Sequence, residues 1–346
     1  PGGAGVGRPT LHLDASTQPR GGAGARVSWG ALLDAGARVE VLVLPFLVIT
    51  IPWSPNITHP GPFLLTWHGL FTAIGILVGV QLSLWVGRKI GYDEDDAYTL
   101  ALVGVPSGII GARALYVWER WDLYSSNVLS IFAIAEGGIS VWGAVLGGVL
   151  GALLFALWRG YPIRKGLDMA SFGLIIGMAI GRIGDLVNGE HLARASNLPW
   201  AVVYTHPDSP AFCWSNPLNE FCRLATNGGG VGPHHPATTY EMLGDLVILG
   251  VLFFCLWGPL KRRPGLTFFV FLVGYSVMRY FVTYLRVDSA DTIVPGMTVP
   301  QLTSALVVLG SIWPIVYLLR QPPIDDDDAP PPPPPPRAGR VPVRRG

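Results

Sequence analysis

Residues Gly181–Arg194, GRIGDLVNGEHLAR, set Arg182, Asp185, Asn188, Glu190, His191 and Arg194 at the end of an otherwise apolar run. Continued as a helix, Arg182, Asp185 and Gly189 share one side, because residues three and four apart stack on one face. An Arg or Asp at membrane depth costs about 2.5–3.5 kcal/mol on insertion scales, so each needs a partner, a water-filled cavity or an anionic ligand. Two chemistries fit. One is a structural network, with Arg182 and Asp185 paired on their own helix. The other is recognition of an anion at membrane depth, where the planar arginine fork matches phosphate bidentately. Two further apolar runs weigh toward the second: SVMRYFVTYLR carries Arg279 with Arg286 two turns on, and GARALYVW carries Arg113 with Tyr116 near it. Arg286 taken alone could snorkel to the interface. Three runs each giving an arginine predict a shared anionic ligand, most simply a phospholipid headgroup.

Other polar groups fall near the same level. HPATTYE opens an apolar run with Pro236, suited to a first helical turn, and turns Tyr240 and Glu241 toward the same leaflet. His68, in LLTWHGL, is the only histidine in an apolar run, and a satisfied core histidine is the commoner explanation for it. EGGISVWG, Glu136–Gly143, reads equally as a broken-helix ligand site and as a flexible way into the membrane, and Trp142 alone suits an interfacial anchor. His206 and His234 lack a second ligand at metal spacing, and neither HExxH nor CxxC occurs, so no metal site is expected. No GxSxG supports an acyl-serine route.

The elements that must position these groups are membrane helices. Hydrophobic residues make up 50% of the 346 and charged residues 14%, against about 25% charged in soluble domains. Mean hydropathy is +0.43, which gives an all-α polytopic membrane bundle. A net charge of +1 without a basic, aromatic-interleaved run does not support nucleic-acid binding. Seven spans are expected, near 63–87, 97–117, 138–158, 167–188, 236–258, 265–285 and 299–319, inside a membrane domain of 37–320. Val39–Trp53 is too short to span and reads as interfacial or partial. Residues 1–36 and 321–346 read as disordered extensions, the latter acidic, then polyproline, then basic. Arg88 and Lys89, Arg159 to Lys165, Lys261 to Arg263 and Arg320 all fall on one side if the spans alternate, which makes that side cytoplasmic. The 189–235 loop, with the β-like run Trp200–Tyr204, is then a small extracytoplasmic head. It holds Cys213 and Cys222. An oxidising compartment would allow them to pair, though spacing alone leaves two free thiols equally open. Cys255 reads as packing. Glycines four apart, Gly75/Gly79, Gly104/Gly108, Gly143/Gly147/Gly151 and Gly173/Gly177/Gly181, predict close helix approach.

GRIGDLVNGEHLARASNLPWAVVY resembles the signature block of the prolipoprotein diacylglyceryl transferase family, and EGGISVWGA, HPATTYE and GYSVMRYFVTYLR resemble its other blocks in the same order over about 63–320. The resemblance implies a bacterial plasma-membrane enzyme with its amino terminus outside and carboxyl terminus in the cytoplasm. It implies transfer of the diacylglyceryl group of phosphatidylglycerol to the lipobox cysteine thiol of a prolipoprotein, without a cofactor. Arg182 corresponds to the phosphatidylglycerol-binding arginine and Arg279 to the other essential one, with Arg113, Asn188, Glu190, Arg286, Glu241 and Tyr240 as further headgroup candidates. Four departures stand out: Trp142 replaces a histidine, Asp185 an asparagine, Thr283 a glutamate and His68 a tyrosine. His68 or Asp185 could accept the thiol proton in place of the missing histidine, with Glu241 a weaker candidate. A phospholipid-binding transporter or inactive paralogue that keeps the headgroup site is the alternative.

Overall fold

The computed structural model describes residues 48–58, 65–125, 127–132, 140–225, 229–289 and 294–324. The expected extension 1–36, the tail from Asp325 onward and Glu136–Ile139 of the glycine block lie outside the described residues. Seven long helices dominate: α1 (Trp67–Lys89), α2 (Glu94–Glu119), α4 (Val141–Arg159), α5 (Ile163–Asn188), α8 (Ala237–Trp257), α9 (Leu266–Thr283) and α10 (Val299–Arg320). Each overlaps one expected span. Between them lie the short α3 (Trp121–Tyr124), α6 (Phe212–Ser215) and α7 (Glu220–Ala225), and the strands β1 (Ile49–Ile51), β2 (Asn56–Thr58), β3 (Leu65–Thr66) and β4 (Val202–Tyr204). Among the described residues, six helices are long and apolar enough to cross a bilayer. The seventh, α4, has 19 residues, with Leu146–Arg159 as its apolar stretch.

Local chemistry sets the ends. The Thr66 side chain caps α1 by accepting from the Gly69 amide at 3.0 Å, and Asp93 caps α2 through the Asp96 amide at 3.0 Å. Glu94, Asp95 and Asp96 add negative charge to the first turn of α2, where the helix dipole favours it. Gly160 (φ 70°) and Gly189 (φ 74°) close α4 and α5 in the left-handed region.

The glycine stripes do the packing expected of them. A Cβ on Gly75 would lie 2.7 Å from the Gly177 carbonyl oxygen, and one on Gly108 would lie 3.2 Å from that of Ala144, so α1 seats on α5 and α2 on α4 backbone to backbone. Gly181 is an exception. A Cβ there would meet nothing within 4 Å among the described residues, so it takes no part in the α1–α5 contact.

The largest apolar cluster and the ionic site lie at different levels of the bundle. Leu84, Met169, Phe172, Ile175, Leu252, Leu256 and Phe271 form one buried cluster from α1, α5, α8 and α9. Toward the end that leads into residues 189–236, α5, α8 and α9 carry the charged groups Arg182, Asp185, Glu241 and Arg279. There β1 pairs in parallel with β4, Ile49 opposite Val202 and Ile51 opposite Tyr204. This corrects the reading of Val39–Trp53 as an interfacial or partial span, at least over its described part: Ile49–Ile51 is a strand, because β4 offers it backbone partners and Ile51 packs against Val202, Tyr204 and Ala211. The β-like run at Val202–Tyr204 is the strand expected, and Cys213 and Cys222 are disulfide-bonded with Cα atoms 4.8 Å apart.

A candidate anion site inside the helix bundle

Helices α5 and α9 end, and α8 begins, at the same level, which brings Arg182, Arg279 and Glu241 together from three helices. Glu241, 1% exposed, is the centre. Arg279 Nη1 donates to its Oε1, as does Arg286 Nη1 at 3.3 Å. Arg182 Nε lies 2.9 Å from Oε2, a charge contact without hydrogen-bond alignment. Three guanidiniums on one buried carboxylate satisfy the rule that interior charges are paired.

A second carboxylate extends the network. Asp185 Oδ2 accepts from Arg182 Nη1 at 2.8 Å, and its Oδ1 lies 2.7 Å from His68 Nδ1. Gly184 makes this meeting of α1 and α5 possible, since a Cβ there would sit 2.7 Å from the His68 Cα. Asn188 Nδ2 donates to Glu190 Oε1 at 2.8 Å, and Glu190 Oε2 stands 3.7 Å from His68 Nδ1. Ligand atoms of His68, Asp185 and Glu190 all lie within 4.8 Å of one another. That spacing suits a metal ion, although the sequence motifs predict none. In this arrangement His68 Nδ1 and Asp185 Oδ1 are spent on each other and Asp185 Oδ2 on Arg182.

Two residues outside the spans close the site. Asp288 takes a bidentate contact from Arg286, Nε to Oδ1 at 2.9 Å and Nη2 to Oδ2 at 2.8 Å. His191 bridges Asp288 Oδ2 at 3.2 Å and Asp185 Oδ2 at 3.5 Å. Burial works against a charged His191, but the Asp185 and Asp288 carboxylates outweigh it and hold the ring above the ordinary histidine value. The Asp288 carboxyl is held well below the usual carboxylate range: burial opposes this, and the His191 and Arg286 hydrogen bonds overcome it.

The remaining candidates do other work. Tyr240 accepts from Trp200 Nε1 at 2.7 Å and lies 3.2 Å from His235 Nδ1, tying α8 to the loop. Arg113 donates through Nε to the Ile131 carbonyl and through Nη2 to that of Ser130, both at 2.8 Å, and its guanidinium lies 5.1 Å from the Tyr124 ring centre. Its described bonds therefore brace the 3-10 turn Val128–Phe132 and not the Glu241 cluster. Sequence reasoning assigned no role to Asp288, to His191 beyond its place in the cluster, or to Asp245. Asp245 is fully buried one turn beyond Glu241, with neither oxygen partnered among the described residues. An aspartate four residues after Glu241 in an apolar run was a readable signal; the Asp288–His191 contact spans 97 residues and was not.

The helices and their ionic interior define a polytopic membrane protein with a charged site enclosed by its spans. Residues 55–317 match the sequence profile of the family described as "Prolipoprotein diacylglyceryl transferase", and the chain belongs to that family. It is similar to the phosphatidylglycerol–prolipoprotein diacylglyceryl transferase of Synechocystis sp., 31% identical over 276 residues, 78% of this chain and 91% of the relative. It is likewise similar to those of Trichormus variabilis, 31% identical over 72% of this chain and 84% of the relative, and Bacillus cereus, 33% identical over 74% and 89%.

Proposed function

We propose that this chain transfers the diacylglyceryl group of phosphatidylglycerol to the lipobox cysteine thiol of prolipoproteins, forming a thioether and releasing glycerol phosphate. The observation that carries it is the convergence of Arg182, Arg279 and Arg286 on one buried carboxylate. Guanidiniums gathered from separate elements around a single anionic group are what binding a lipid phosphodiester inside the membrane requires.

In this reading Glu241 holds the arginines in place until the phosphodiester arrives. Arg182 and Arg279 then stabilise the charge that grows on the departing phosphate, and each 1.36 kcal/mol of such preference is tenfold in rate. Asn188 and Glu190, bonded to each other, edge the headgroup side, and Tyr240 holds the start of α8. The seven long helices are the spans, the 189–235 region faces out of the bacterial plasma membrane, and the basic ends of α1, α4 and α10 face the cytoplasm.

Complementation tests the activity. Expressed in cells depleted of their own transferase, the chain should restore thioether-lipidated prolipoprotein, and Arg182→Ala should abolish it, a loss of at least about 100-fold, with the fold intact. A well-folded chain that yields no product would favour a phospholipid-binding protein without the chemistry.

A further inference from the structure

Resting on that transferase reading, we infer that His68 takes the proton from the substrate thiol and that Asp185 orients it, so enzyme and substrate together complete a cysteine–histidine–aspartate triad. The two residues lie 117 positions apart, on α1 and α5, yet His68 Nδ1 is 2.7 Å from Asp185 Oδ1. That contact assigns the ring proton to Nδ1 and leaves the Nε2 lone pair for an incoming acid. No described hydrogen bond occupies Nε2. The His68 side chain is 40% exposed and that of Asp185 6%, which leaves the ring accessible and its orienting group buried behind it. Asp185 is itself a poor proton acceptor, because each oxygen already receives a donor, His68 on one and Arg182 on the other.

The same carboxylate links both halves of the reaction. Through Oδ1 it holds the proton acceptor, and through Oδ2 it holds an arginine of the anion site at 2.8 Å, the fixed relation a displacement needs. The residues at 68 and 185, two of the departures from the family pattern that the resemblance implies, thus become one pair in space. In the step, the thiol S–H proton passes to His68 Nε2 as sulfur bonds to the glyceryl carbon. The C–O electron pair leaves on the phosphate oxygen, and the proton then returns to that phosphate or to water. A free thiol has a pKa of about 8.5, so a base at neutral pH raises the reactive fraction. The charged groups facing His68 are Asp185 and Arg182 on α5 and Glu190 just beyond it.

The test uses the purified full chain in detergent with phosphatidylglycerol and a synthetic lipobox peptide, following the thioether product by mass spectrometry across pH. At neutral pH, His68→Gln should lower kcat by about 10²–10⁴-fold, with KM for phosphatidylglycerol little changed. That deficit should shrink as pH passes the thiol's own value of about 8.5. Asp185→Asn, at the positioning residue, should lower the rate and displace the pH profile, and Asp185→Glu should recover part of both. His68→Asn serves if the glutamine variant yields no folded protein. A His68 variant with wild-type rate and profile would overturn the inference. So would a wild-type rate lost to a chelator and restored by a divalent cation, since His68, Asp185 and Glu190 would then be ligands. No thioether product from the wild-type chain would remove the transferase reading itself, and this inference with it.

Discussion

At Glu241 one carboxylate compensates three guanidiniums, and its removal has two opposite consequences. Taking one partner from a buried ion pair costs about 3–5 kcal/mol, because the others remain desolvated. The freed arginines also lose the anion that competes with a phosphodiester. Glu241→Gln should therefore melt earlier than wild type when lipid-free, yet gain more in thermal midpoint from added phosphatidylglycerol; parallel shifts in both would argue that Glu241 does not stand in for the phosphate. The His191–Asp288 contact makes a separate prediction in pH. Asp288, ordinarily at 3.8, is lowered, and burial works against that shift, so its stabilisation is present above 3.8 and lost as pH falls through the depressed folded value. His191, ordinarily at 6.5, is raised against the effect of burial, so its share is complete below 6.5 and lost as pH rises through the raised folded value. Thermal midpoints should thus decline on both sides of that window. His191→Gln should lose the alkaline decline and Asp288→Asn the acidic one.

Among the elements, α5 organises the site because both of its ends are fastened to other helices. At the end away from the site, Asp168, 2% exposed, accepts from the Gly265 amide at 2.6 Å and the Phe268 amide at 2.9 Å, capping α9 from a neighbouring helix. Asp168→Ala should cost about 2–4 kcal/mol by leaving two interior amides orphaned, and Asp168→Asn less, measured by chemical or thermal unfolding in detergent. At the other end Gly184 lets α1 approach. Gly184→Ala should displace the start of α1, cost about 1–3 kcal/mol and slow lipidation more than it weakens phosphatidylglycerol binding, because His68 moves from Asp185 while Arg182 stays. Gly250→Ala, where a Cβ meets nothing within 4 Å among the described residues, is the control and should be neutral or slightly stabilising. These contacts show what sequence could and could not reveal. Helix identities were legible because hydrophobic length and glycine spacing are local properties, and Arg182 and Arg279 stood out because charge in an apolar run is costly. Of the paired strands β1 and β4, far apart in the chain, β4 was legible as a β-like run, whereas β1 is three residues at the end of an apolar stretch and its partner could not be read locally. Arg113 carried the same signal as the site arginines, yet its described bonds go to backbone carbonyls of a nearby turn, a choice that only geometry displays.

Across the molecule, charge and oxidation state divide the bundle lengthwise. Opposite the site, Arg263 Nη1 donates to the Leu319 carbonyl at 2.7 Å at the close of α10, and the Ile324 amide donates to the Arg262 carbonyl at 3.0 Å, so the basic α8–α9 turn and the end of α10 share one face. On the site side lies the disulfide-bonded loop. Both features are what the proposed orientation requires, since basic turns favour the cytoplasmic side and disulfides persist in oxidising compartments. A membrane-impermeant maleimide applied to intact spheroplasts should leave the chain unlabelled until an impermeant reductant is added. Cys213, half-buried, should then react before Cys222, which is fully buried, while Cys255 within α8 stays unreacted. The bridge closes a short loop, with its cysteines nine residues apart, and reducing it should cost about 2.6 kcal/mol by the chain-entropy relation. Because the 189–235 segment that the bridge staples also supplies His191, which bridges Asp185 and Asp288, reduction should also slow lipidation. Labelling that required the inner face to be opened would reverse the orientation and place the arginine cluster in the wrong leaflet for a secreted substrate.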